Sequence, residues 1–124
     1  MSSFEHQTLV SNLKKSSKEI INELKPEQAD ALHMAVGIAG EAGELLDAIK
    51  KWSIYQKPLD LENVIEELGD LEFYMEGLRQ SLNLTRIETL MENIAKLQKR
   101  YSNGEYSNEQ ANERADKVQA DENL

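Results

Sequence analysis

The sequence predicts an all-α fold, a four-helix bundle with a short additional C-terminal helix. Three observations predict it. Helix formers dominate, with only two prolines and six glycines in 124 residues. Apolar residues recur at helical spacing through four long stretches. The breaks between those stretches are short and carry helix-start signals, which favours antiparallel packing of consecutive helices. Residues 1–124 read as one domain with a real core, without a repeat, a low-complexity segment or a linker.

Each element has its own justification. Helix one is expected from about Phe4 to Leu24, with Phe4, Leu9, Val10, Leu13, Ile20, Ile21 and Leu24 near helical spacing. Ser16 and Ser17 interrupt that stripe, and Lys14, Lys15 and Lys18 lie on a solvated face. Helix two starts at Pro26, suited to a first helical position, with Glu27 favourable in the first turn. It continues to about Trp52. One apolar stripe holds Leu32, Val36, Ala39, Gly43 and Leu46, and another Met34, Ile38 and Leu45, so this helix is central. Lys50 and Lys51 complement its dipole. A loop from about Ser53 to Leu59 leads to Asp60, an N-cap for helix three, which runs to about Leu82. Its core face is Leu61, Val64, Ile65, Leu68, Leu71, Met75, Leu78 and Leu82. Asn63, Glu66, Glu67, Asp70 and Tyr74 run beside that face in steps of three and four. Thr85 and Glu88 form a capping box for helix four, whose apolar face is Ile87, Leu90, Met91, Ile94, Leu97 and Tyr101. Asn103-Gly104 marks a turn. Ser107 and Gln110 suggest a second capping box and a last helix through about Lys117, with Ala111, Ala115 and Val118 as its apolar contacts. The tail from about 119 is expected to fray.

Composition excludes several classes. There is no cysteine, so disulfides and thiolate metal sites are out. The polar start MSSFEHQTLV lacks the pattern of a signal peptide, and no apolar stretch is long enough for a membrane. A cytoplasmic protein with no membrane partner is expected. A net charge of -9 repels nucleic-acid backbones, so no nucleic-acid partner is expected either. The acidity serves solubility, or it concentrates carboxylates to hold cations.

The chemistry is carried by two acidic pairs. GIAGEAGELL places Glu41 and Glu44 three apart in helix two, and EELGDLEFY places Glu67 and Asp70 three apart in helix three. Gly37, Gly40 and Gly43 each cost a helix about 1 kcal/mol relative to alanine, so something must approach the backbone there, a helix or a ligand. Gly69 stands beside the second pair. If helices two and three are neighbours, the four carboxylates converge. Such a cluster stays ionised only with cations, and hard oxygen ligands suit Mg²⁺, with Mn²⁺ as a substitute. Mg²⁺ usually completes its shell with substrate phosphates. A di-iron centre is excluded, since neither His6 nor His33 follows a glutamate by three. Glu66, one turn before Asp70, is a candidate to accept a water's proton, or an ordinary solvated residue. Asn93, Lys96 and Arg100 form a stripe at i, i+3, i+7. Taken alone it is a solvent face; beside a metal cluster it grips phosphates.

These residues resemble the MazG-like all-α nucleoside triphosphate pyrophosphohydrolases. Their E-x-x-E and E-x-x-D motifs stand here as Glu41-x-x-Glu44 and Glu67-x-x-Asp70, with twenty-two residues between. The resemblance extends from about His33 to Arg114. It implies Mg²⁺ held by Glu41, Glu44, Glu67 and Asp70, and hydrolysis of a (deoxy)nucleoside triphosphate between its α- and β-phosphates. It implies phosphate binding by Asn93, Lys96, Arg100 and Arg114. Relatives with a second glutamate directly before or after the first motif residue have an extra potential ligand or base; here those places are Gly40 and Ala42, so that role falls elsewhere or is absent. A homodimer, or a dimer of dimers, with helices from two subunits completing each bundle and site, is also implied. His33 and Trp52 are base contacts, or a core histidine and an interface tryptophan. The alternative to an enzyme is a non-catalytic helical interaction module with an acidic, cation-binding surface.

Overall fold

The computed structural model describes residues 3–117, with side chains from Glu5 onward. All regular structure among them is helical: α1 (Ser3–Leu13), α2 (Ser17–Glu23), α3 (Pro26–Ser53), α4 (Leu61–Ser81), α5 (Arg86–Arg100) and α6 (Asn108–Glu113). The expected roles of the Phe4 side chain, Val118 and the tail from 119 lie outside the described residues. No helix among those residues is long and apolar enough to cross a membrane.

The expected first helix is two helices. Ser16 takes an extended conformation, and its Oγ accepts a hydrogen bond from Glu19 N at 3.1 Å. A serine that caps the next turn competes with continuing the previous one. The other starts follow the same chemistry. Lys25 N donates to Gln28 Oε1 at 2.9 Å ahead of Pro26. Asp60, Thr85 and Ser107 each accept from the backbone N–H three residues on, all at 3.1 Å. The last helix ends earlier than expected: Arg114 is left-handed, with φ 50°, and residues 115–117 form a separate helical turn.

Among the described residues, α3 packs extensively on α4, while α5 only touches α6. Gly37 meets Tyr74 and Gly77 meets Met34, so partners advance in opposite directions and the α3–α4 pair is antiparallel. The seam shows in the burial. Met34, Ile38, Glu41, Leu45 and Ala48 on α3 face Val64, Glu67, Leu71, Tyr74 and Leu78 on α4, all half-buried or better. Steps of three and four along both lists are the signature of two helices packed along their length. Two notches bring the backbones close: a Cβ at Gly37 would overlap the Tyr74 ring, and one at Gly77 would overlap the Met34 sulfur.

The stripe of α3 through Leu32, Val36 and Leu46 stays open among the described residues. Leu32, Val36 and Leu46 are 56%, 61% and 68% exposed. Leu61, Ile65 and Leu68 of α4, Leu82 just after it, and Ile87, Leu90, Met91, Ile94 and Leu97 of α5 are exposed as well. Ala48 is the one apolar residue, among the described residues, that is buried. The expected core faces exist as stripes on helices, but most of them do not meet inside a single chain.

Candidate metal centre

The α3–α4 seam is apolar along most of its length and turns acidic at one level. Gly37 and Tyr74 form the step before it, and Leu45 and Val64 lie beyond it. There Glu41, Glu67 and Asp70 each bring a carboxylate oxygen to within 4.8 Å of the other two. Glu67 is buried, and Glu41 and Asp70 are half-buried. Oε2 of Glu67 is shielded from solvent and, among the described residues, has no hydrogen-bond partner.

Such an oxygen is costly to bury. The Glu67 carboxyl is pushed up to about 7. Its hydrogen-bonding contact with the Glu41 carboxyl contributes most; burial and the charges of Glu41, Glu44 and Asp70 push the same way. Without a cation, the cluster therefore keeps a proton near neutral pH. A hard divalent cation bound here would remove the need for that proton. The residues present fit such an ion.

Glu44 stands apart from this group. Three residues along a helix is a turn of 300°, so Glu44 is rotated by about 60° from Glu41 toward solvent. It is exposed and outside the set of three, yet its charge still reaches Glu67. Glu66 is exposed on α4 beside Glu67. His33 is exposed, which corrects the reading of a core histidine, and Trp52 is 47% exposed at the end of α3. Of the glycines singled out, only Gly37 meets the partner helix; Gly40, Gly43 and Gly69 face open space.

The basic residues lie elsewhere in the chain. Asn93 and Lys96 line a surface cleft of about 530 Å³ on α5, together with Lys99, Asp116 and Lys117. Arg100 is half-buried and paired with Asp116. Arg114 is exposed at the left-handed end of α6. None of the four is brought into the α3–α4 pair, whose extensive contact is with one another alone.

Three features escaped the sequence reading. The Gly77–Met34 notch follows from Gly37–Tyr74 by one turn in opposite directions, but only once that pairing is known. The Glu76–Arg79–Gln80 cluster, with Arg79 Nε and Gln80 Nε2 both 3.1 Å from Glu76, has the i, i+3, i+4 spacing that betrays it. The Arg100–Asp116 pair joins residues sixteen apart across a turn and has no periodic signal.

A family model described as the MazG nucleotide pyrophosphohydrolase domain matches residues 32–105, more than half of the chain. The match covers all of α4 and α5 and most of α3, including both acidic pairs. No curated protein and no solved structure matches the chain.

Proposed function

The chain belongs to the MazG nucleotide pyrophosphohydrolase family, and from that premise we propose that it hydrolyses (deoxy)nucleoside triphosphates to the monophosphate and pyrophosphate with Mg²⁺, in nucleotide-pool control or house-cleaning. The observation that carries this reading is the buried Glu67 carboxylate gathered with those of Glu41 and Asp70, its Oε2 without a hydrogen-bond partner among the described residues. Glu41, Glu67 and Asp70 hold the ion directly, and Glu44 joins from the exposed side. The ion supplies positive charge against the charge that builds on the phosphoryl group. Glu66 accepts the proton of the attacking water. Asn93, Lys96, Arg100 and Arg114 bind and orient the phosphates, so that attack and departure are aligned.

Within one chain those cations and the acidic triad sit on different helix pairs. The reading therefore includes a homodimer, or a dimer of dimers, in which one copy faces its basic residues to the triad of the other. The open faces support it. The chain exposes 10292 Å², whereas a compact monomer of 14.1 kDa exposes about 6700 Å². That excess, counted for each of two copies, meets or exceeds the total area that obligate homodimers bury.

The test is a panel of dNTPs incubated with Mg²⁺ or Mn²⁺ and assayed for monophosphate and pyrophosphate. Cleavage of none of them by either ion refutes the enzyme. Asp70→Asn and Glu44→Gln are expected to abolish turnover while the far-UV circular dichroism stays helical. Full activity in both removes the proposed metal site.

A further inference from the structure

We propose that Asp116 is a positioning residue for Arg100: it holds the guanidinium by Nε and so aims the two terminal amino groups at the triphosphate. This rests on the reading of Arg100 as a phosphate-binding residue.

Arg100 is the last residue of α5, and Asp116 follows it by a full turn and a short helix. Arg100 Nε donates to Asp116 Oδ1, and among the described residues this is the only side-chain hydrogen bond that Arg100 makes. The two side chains are 17% and 11% exposed, so the pair is withdrawn from solvent, unlike the open pair of Lys15 with Glu23 at the end of α2. A guanidinium is planar and rigid, with Nε on one edge and the two amino groups at the far end. An acceptor on Nε fixes the direction in which the amino groups point and leaves their donors free. That is the arrangement a bidentate grip on phosphate requires.

The chain after α5 delivers the carboxylate to that place. Gly104, at φ 76°, turns the backbone, and Ser107 caps α6. Gln110 Nε2 donates to Ser102 Oγ at 3.2 Å, and Ala111 and Ala115 are half-buried. Arg114 at φ 50° then redirects the backbone, so that Asp116 returns to the end of α5. A non-glycine residue is held left-handed only where its surroundings demand it. Asp116 also lines the cleft that Asn93 and Lys96 share, so it borders both groups of proposed phosphate ligands. The Arg100 guanidinium holds the Asp116 carboxyl below the usual carboxylate range, which keeps the clamp ionised.

The experiment compares the full-length wild type with Asp116→Asn, Asp116→Glu, Arg100→Ala and the double variant. It reads KM and kcat for the best-cleaved dNTP and calorimetric binding of inorganic pyrophosphate, with thermal unfolding to verify the fold. Asp116→Asn is expected to raise KM and weaken pyrophosphate by about tenfold, as for the loss of a charge-assisted hydrogen bond, with kcat little changed. Asp116→Glu recovers most of that loss, and Asp116→Asn adds nothing once Arg100 is alanine. Where Asp116→Asn does not fold, Asp116→Ser carries the same comparison. A lower KM in Asp116→Asn overturns the proposal, because Asp116 then competes with phosphate for Arg100. An equal further loss in the Arg100→Ala background overturns it too, because Asp116 then only anchors the segment. Unchanged KM and pyrophosphate affinity in Asp116→Asn, beside a loss in Arg100→Ala, overturn the positioning role alone. Unchanged values in Arg100→Ala overturn the phosphate reading of Arg100 beneath it.

Discussion

Glu67 concentrates the chemistry of this chain into one side chain. It is buried between helices, faces two other carboxylates, and carries a carboxyl raised to about 7. In the unfolded chain the same group titrates near 4.5. Between those two values the unfolded state releases a proton that the fold retains. The contribution of Glu67 to stability therefore falls as pH rises from about 4.5 to about 7, and the penalty is complete above 7. A bound cation reverses that penalty. Metal-free protein is expected to lose melting temperature across this range, and the increase produced by Mg²⁺ to be larger at pH 8 than at pH 5. Thermal melts at both pH values, with EDTA and with Mg²⁺, measure this. Glu67→Gln removes the charge and keeps the shape. It is expected to raise the melting temperature of metal-free protein at pH 8, while lowering turnover by more than about 100-fold. A variant that is both less stable and fully active would contradict the assignment on both counts.

Among the helices, glycine has two different meanings. Gly37 and Gly77 are notches that a side chain from the facing helix fills. Gly37→Ala must displace the Tyr74 ring and is expected to destabilise by about 1–3 kcal/mol. Gly40 has open space where its Cβ would go, so Gly40→Ala is expected to stabilise the isolated chain by up to about 1 kcal/mol through helix propensity. Urea unfolding of both variants separates the two cases. The sequence shows three glycines in one helix but not which of them meets a neighbour, because that depends on which stripe of α3 faces α4. The helices themselves were legible, since Pro26, Asp60, Thr85 and Ser107 announce their starts. The break at Ser16 was not, because the stripe through Leu13 and Ile20 keeps nearly helical phase across it. Both acidic pairs were legible from their spacing. That Glu44 turns outward while Glu41 turns inward depends on the 60° between them, and no spacing rule says on which side the partner helix lies.

At the scale of the molecule, the sequence writes apolar stripes without saying which of them close within a chain. One stripe of α3 is used by α4; Leu32, Val36 and Leu46 on the other remain open, as does the face of α5. If two copies close those faces, folding and association are one process. The melting temperature is then expected to rise with protein concentration, and sedimentation should show no stable monomer. Leu46→Glu should shift the protein toward dissociated, less helical chains. A melting temperature independent of concentration over a hundredfold range would argue for a self-sufficient monomer. The antiparallel register of α3 and α4 has a consequence for how such a gene can change. Gaining or losing a single codon between Ile54 and Leu59 alters only the length of a connection, and the facing turns keep their partners. The same event between Gly37 and Glu41 rotates everything on one side of it by about 100° and uncouples Tyr74 from Gly37 or Glu41 from Asp70. Length variation among descendants of this gene should therefore collect in the connection, while the intervals of three within each acidic pair stay fixed.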